Sequence, residues 1–263
     1  MNKKPFRSLL VLLTVSMFLS VFSAGIQAAE PVSPTDVLGT KTLSQSAISP
    51  DGKWIAYTIR IPRTATDKPG GSYTELYLMN IKTGANTPFI TGKVNVGSLH
   101  WSPDGTQIAF STRRGEKAKT QVWIIPRDGG EAWQATHSPT SVLGFAWHPN
   151  GKQIAYMATT PQSKKEKELK KKGFGFIYYE ENLKHRNIYL QDLDKKTDPV
   201  QLTSGKTIWS FNFSHDGKTI AAAASPKNLV DHRYMFQKLY LLDIASKKMT
   251  QLTDNPGKLG SYS

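Results

Sequence analysis

Two adjacent carboxylates, Glu180 and Glu181, follow the aromatic pair Tyr178-Tyr179 inside a long polar stretch. Paired carboxylates on a loop can receive a protonated amino terminus through charge-assisted hydrogen bonds. They can equally sit solvated and offset the lysines nearby. These two are the candidate substrate-binding residues of the chain. The other chemistry-bearing residue types form no catalytic pattern. His100, His137, His148, His185, His215 and His232 fall mostly in or beside repeated turns, which points to turn or strand-edge roles rather than metal ligation. There is no Gly-x-Ser-x-Gly elbow, no His-Glu-x-x-His and no glycine-rich phosphate loop. No catalytic residue, metal site or cofactor is therefore expected within this chain. The basic run Lys164 to Lys172 reads as a solvated loop or short exposed helix, with contact to an anionic lipid or wall polymer as the alternative.

The elements that would carry such a loop are repeated. Ser49-Pro50-Asp51-Gly52 recurs as Ser102-Pro103-Asp104-Gly105, as His148-Pro149-Asn150-Gly151 and as Ser214-His215-Asp216-Gly217. The acidic or amide positions are 53, 46 and 66 residues apart. Apolar residues alternate before each turn (Leu99 and Trp101, Phe145 and Trp147, Phe211 and Phe213), and Ile-Ala-Tyr, Ile-Ala-Phe or Ile-Ala-Ala follows it. Two short apolar runs around a tight polar turn predict a β-hairpin. A third strand follows, as in Leu76-Tyr77-Leu78 or Leu239-Tyr240-Leu241, and a fourth ends in Gln134-Ala135-Thr136, Gln201-Leu202-Thr203 or Gln251-Leu252-Thr253. Four strands in each of about four units with a period near 50 residues predict an all-β fold, an incomplete β-propeller, over a β-helix or sandwich. The blades fall at about 41–92, 93–138, 139–205 and 206–256, with 257–263 read as the start of a fifth. Two insertions, Pro62 to Ser72 and Pro161 to Arg186, both lie between second and third strands and so share one face.

The first 29 residues have another character. Lys3, Lys4 and Arg7 precede an uncharged, apolar stretch from Ser8 to Ala24, and Ala28 and Ala29 offer small residues for cleavage. This is the pattern of a secretory signal peptide helix. The expected mature protein begins after Ala28 or Ala29 and is periplasmic or secreted, with a retained anchor as the rival reading. No later stretch is apolar enough to span a bilayer. The formal charge of +14 falls to +11 without the three basic residues of the signal. Export argues against nucleic acid as the partner for that charge. With no cysteine in the chain, stability must come from core burial.

The signal peptide, the Ser-Pro-Asp-Gly-Lys hairpins and the Leu-Tyr-Leu-x-Asp/Asn strands together resemble the amino-terminal propeller of the prolyl oligopeptidase family of serine peptidases. The dipeptidyl- and acylaminoacyl-peptidase branches are the most similar, and TolB propellers use very similar repeats. The resemblance implies a propeller that gates and helps bind oligopeptides. An α/β-hydrolase domain, absent from this chain, would carry the Ser, Asp and His. Tyr178-Tyr179-Glu180-Glu181 resembles the paired-Glu amine anchor of the dipeptidyl branch, but the next element here is the strand motif at Ile188-Tyr189-Leu190 rather than another hairpin. The alternative is a TolB-like, non-enzymatic propeller that binds a protein or envelope partner. A small-molecule hydrolase or lyase working in the funnel needs a ring of His, Asp or Glu from several blades, and no such ring recurs.

Overall fold

The computed structural model describes residues 31–115, 118–175, 180, 183–194 and 197–260. The expected signal peptide, Tyr178, Tyr179, Glu181 and Ser261–Ser263 lie outside the described residues. Contacts divide the chain into two units, 1–40 and 41–263. In the first, helix α1 (Pro34–Gly39) is started by a capping box. Ser33 Oγ accepts the Asp36 amide at 3.2 Å, and the Asp36 carboxylate accepts the Ser33 amide at 2.8 Å.

The second unit is four antiparallel sheets of four strands each, every one in simple meander order. The first holds β1 (Thr42–Ile48), β2 (Trp54–Ile61), β3 (Tyr73–Asn80) and β4 (Asn86–Ile90). The second holds β5 (Gly97–Trp101), β6 (Gln107–Thr112), β7 (Gln121–Pro126) and β8 (Trp133–Gln134). The third holds β9 (Val142–Trp147), β10 (Gln153–Thr159), β11 (Arg186–Asp192) and β12 (Val200–Gln201). The fourth holds β13 (Thr207–Phe213), β14 (Thr219–Ser225), β15 (Lys238–Asp243) and β16 (Met249–Gln251). The first strands β1, β5, β9 and β13 are successive neighbours around a common axis. These sheets are the blades of an incomplete β-propeller, and the described residues 257–260 carry no strand.

The repeated turn explains why each blade starts in the same register. The closing pairs are Ile48 with Ile55, Trp101 with Ile108, Trp147 with Ile154 and Phe213 with Ile220. In three blades the Ser hydroxyl donates to the Asp two residues on, at 2.6, 2.6 and 2.7 Å, and accepts the amide five residues on, at 3.0, 2.9 and 3.1 Å. The same Asp oxygen accepts the amide of Lys53, Thr106 or Lys218. These hydroxyl bonds, and then the amide bonds, hold all three carboxyls below their ordinary range. The turn glycines take φ of 69, 69, 70 and 71°, a left-handed conformation that a side chain resists.

Three hydrophobic clusters lie between consecutive blades rather than within them. The first joins Leu76 and Leu78 to Ile108 and Phe110, the second Val122 and Ile124 to Phe145 and Tyr156, and the third Ile188 to Ile220 and Leu242. The small residue after each hairpin fits this packing. Ala56, Ala109 and Ala155 are fully buried, leaving room for the larger side chains of the following blade. Each fully buried Ile, Leu or Phe contributes about 1.5–3 kcal/mol. Among the described residues no cluster joins the fourth blade to the first, and Leu43, Ile48, Leu241 and Leu252 stay exposed.

Polar latches reinforce the stacking. Trp101 Nε1 of the second blade donates to Ala47 O of the first at 2.9 Å, and Trp147 Nε1 of the third to His100 O of the second at 3.4 Å. At the next step Phe213 has no donor. There the His148 ring packs edge-on against Phe213, and its Nε2 lies 3.0 Å from Gly217 O. The Gln-x-Thr ends are latches of another kind. Thr136, Thr203 and Thr253 accept the third-strand amides of Val122, Ile188 and Leu239, each at 2.9 Å. The glutamines donate to the backbone carbonyls of those same threonines at 2.7–2.8 Å.

Candidate functional site

The connections between second and third strands emerge together at the end opposite the hairpin turns. They are the segments 62–72, 113–120, 160–185 and 226–237. The fourth, with its own helix, is an insertion that the repeat spacing does not reveal. In the third blade, the basic run folds as the exposed helix α2 (Lys164–Lys171). Ser163 caps it, and Glu166 closes the capping box by accepting the Ser163 amide at 2.6 Å. Glu166 also pairs with Lys184 at 2.5 Å. The Lys184 bond, followed by those from Ser163, pulls its carboxyl down to about 2. In the fourth blade, α3 (Val230–Met235) begins at Leu229 without a side-chain cap.

The third and fourth insertions are tied to one another. Asn228 Nδ2 donates to Lys184 O at 2.8 Å, and Lys227 Nζ lies 3.4 Å from Glu180 Oε2. Glu180 thus stands on the loop face with its carboxylate toward a lysine. Its backbone is left-handed at φ 60°, a conformation uncommon for a residue with a side chain. Its sequence neighbour Glu181 lies outside the described residues.

Beside this junction is a group that the repeat pattern does not disclose. β13 bulges between Ile208 and Ser210 against β14, and a bulge re-aims the side chain at that point. Trp209 sits there, its indole fixed by an Nε1 bond to Ser225 Oγ at 2.8 Å. Ser225 Oγ in turn donates to Lys227 O at 3.0 Å. Two guanidiniums lie over the Trp209 ring, Arg186 at 4.4 Å from its centre and Arg233 at 5.8 Å. Half-burial of Arg186 lowers its pKa, and the neighbouring Arg233 charge lowers it further. Among the described residues neither guanidinium has a carboxylate in ion-pair range.

At the opposite end, the first strands line an open cleft of about 630 Å³, walled by Ile48, His100, Phe145, Trp147, Phe211 and His215 among others. His100 is exposed there, and Phe145 meets its ring edge-on at 4.9 Å. Among the described residues no three His, Asp or Glu are grouped to hold a metal ion. No described helix is long and apolar enough to cross a membrane.

Fold and repeats together define this chain as a β-propeller built from Ser-x-Asp-Gly hairpins. Within that class it is similar to the propellers of peptidases and of TolB. It is 27% identical over 251 residues to dipeptidyl-peptidase 5 of Porphyromonas gingivalis, covering 86% of this chain and 36% of that protein. Its fold matches acylaminoacyl peptidase of Pyrococcus horikoshii with a TM-score of 0.58 at 14% identity, over 82% of this chain and 33% of that one. TolB of Acinetobacter baumannii matches with a TM-score of 0.52 at 17% identity, over 81% and 43%. The chain spans 23 to 36% of the length of the curated peptidases it matches. No family model matches it.

Proposed function

We propose that this chain is the propeller portion of an exported serine peptidase of the prolyl oligopeptidase family. In this reading the propeller gates access and helps bind oligopeptides, and an α/β-hydrolase domain outside this chain supplies the nucleophile. The observation that carries it is the similarity to a dipeptidyl-peptidase over 86% of the chain. Acyl transfer to a serine would be the chemistry. The loop face would meet the substrate, and Glu180, with Glu181 beside it in sequence, would receive a free amino terminus. Export by the amino-terminal signal places the protein in the periplasm or outside the cell.

The test is made on the native gene product, captured from cells with an antibody to this chain. It should be labelled by a serine-reactive fluorophosphonate and should release dipeptides from fluorogenic substrates. Glu180→Gln should raise KM for substrates with a free amino terminus and leave N-acetylated ones unchanged. A native product that takes no label and cleaves nothing would sink this reading. The second reading, a non-enzymatic propeller that binds an envelope partner, is favoured by the likeness to TolB. It expects an unlabelled product that co-purifies with envelope protein.

A further inference from the structure

The Trp209 group has a feature that blade packing does not account for. Two arginines from different blades, Arg186 at the start of β11 and Arg233 on α3, approach the same indole. Like charges brought to one ring repel, and the pKa of the partly buried Arg186, lowered first by burial, is lowered further by the Arg233 charge. Stacking on an indole offsets some of the cost. Among the described residues neither guanidinium has a hydrogen-bonded protein acceptor or an ion pair, so their N–H donors are open to a ligand. Each guanidinium presents a planar fork of donors that matches the two oxygens of a carboxylate.

The surroundings narrow the ligand. α3 and the residue after it expose apolar side chains: Val230, Tyr234, Met235 and Phe236 are 71, 57, 42 and 52% exposed. An apolar shelf beside a two-arginine fork suits a peptide that brings both an oily side chain and a negative group. It suits inorganic phosphate or a sugar phosphate less well. Glu180 stands across the same junction through Lys227, so one loop face carries a site for an amine and a fork for an acid.

We propose that Arg186 and Arg233, held on Trp209, bind the carboxylate of a peptide lying on the loop face. The proposal rests on reading that face as peptide-binding. The carboxylate comes from the peptide's terminus or from an acidic side chain.

The test measures binding to the full chain by calorimetry, with four probes. These are acetyl-tetraalanine with a free carboxyl terminus, its carboxamide, the carboxamide with one alanine replaced by aspartate, and inorganic phosphate. The free acid or the aspartate peptide should bind about tenfold tighter than the plain carboxamide, and which of the two does so identifies the source of the carboxylate. Arg186→Gln and Arg233→Gln should each remove about that factor. Arg233 is exposed on a surface helix, so its variant folds and carries the test if the Arg186 variant does not. Equal binding of both acids and the plain carboxamide, no binding of any peptide, or phosphate binding as tightly as the acids would overturn the proposal. The readout is affinity rather than hydrolysis. Failure of serine labelling on the native product therefore leaves it standing, and loss of acid preference leaves the peptidase reading standing.

Discussion

The two ends of the blades obey different rules. At the hairpin end, the three turns that keep Ser and Asp repeat one set of bonds to within about 0.2 Å. Each turn after the first also lies close to the turn of the preceding blade. A Cβ on Gly105 would sit 3.3 Å from Pro50, one on Gly151 3.9 Å from Pro103, and one on Gly217 2.5 Å from His148. At the loop end the described connections differ from blade to blade, and many of their side chains are exposed. The hairpin end repeats one kind of contact from blade to blade, whereas the loop end is held by a capping box, local ion pairs and one junction between the third and fourth insertions. The difference teaches where a propeller of this kind tolerates change: at the end where the connections follow no shared pattern.

That contrast can be broken or sharpened by experiment. The largest effect is expected at Gly217→Ala, which forces a side chain into φ 71° and against His148. It should cost about 3 kcal/mol in urea unfolding. Gly84→Ala is the control, with φ 70° and nothing within 4 Å, and should cost about 1 kcal/mol. Equal losses would show that the turn is strained but not packed. Thr203→Val keeps the shape but leaves the buried Ile188 amide without its 2.9 Å partner, and about 1–2 kcal/mol should be lost. Replacing Lys164–Lys172 by a Gly/Ser linker should change stability by less than about 0.5 kcal/mol. A loss as large as that at Gly217 would erase the distinction between the ends.

A pH titration separates the turns from one another. Asp51, Asp104 and Asp216 have folded pKa values below 3.8. Their contribution is complete above that value and is lost as pH falls through the depressed folded values. Hydrogen exchange at the amides of Lys53, Thr106 and Lys218 should therefore accelerate, relative to intrinsic rates, as pH drops below 3.8. The Lys152 amide, held at 2.9 Å by the uncharged Asn150, should show no such change. By the same sign, the α2 cap should loosen as pH falls between about 4.5 and about 2, the window in which Glu166 is protonated in the unfolded chain but charged in the folded one. Proteolytic nicking of 160–175 is the measurement for that step.

The hairpins were legible because their chemistry is local: a Ser, an Asp and a Gly within four residues specify both the turn and its register. The blade interfaces were half legible. Alternating Trp101 and Trp147 read as apolar strand residues, but their indole bonds to the preceding blade depend on a backbone carbonyl about fifty residues away. The Gln-x-Thr ends stood out as a recurring motif without showing that the threonine holds the neighbouring strand. The loop face was least legible. The fourth insertion is short, and its helix starts without a capping residue at Leu229. The bulge at Trp209 breaks the alternation only in three dimensions, so Arg186 and Arg233 gave no sign that they share a ring.

The indole latches also give the row of blades a direction. In the first two steps the later blade brings the donor, and the acceptor is a carbonyl already exposed on the edge of the earlier one. A chain made from its amino end therefore offers each new sheet a finished surface to land on, and assembly can proceed like courses of brick, each laid on the last. The third step exchanges the parts: the earlier blade's histidine must wait for a carbonyl that has not yet been made. That joint between third and fourth blades closes only once the fourth hairpin is present, and the two insertions that clasp each other lie across it.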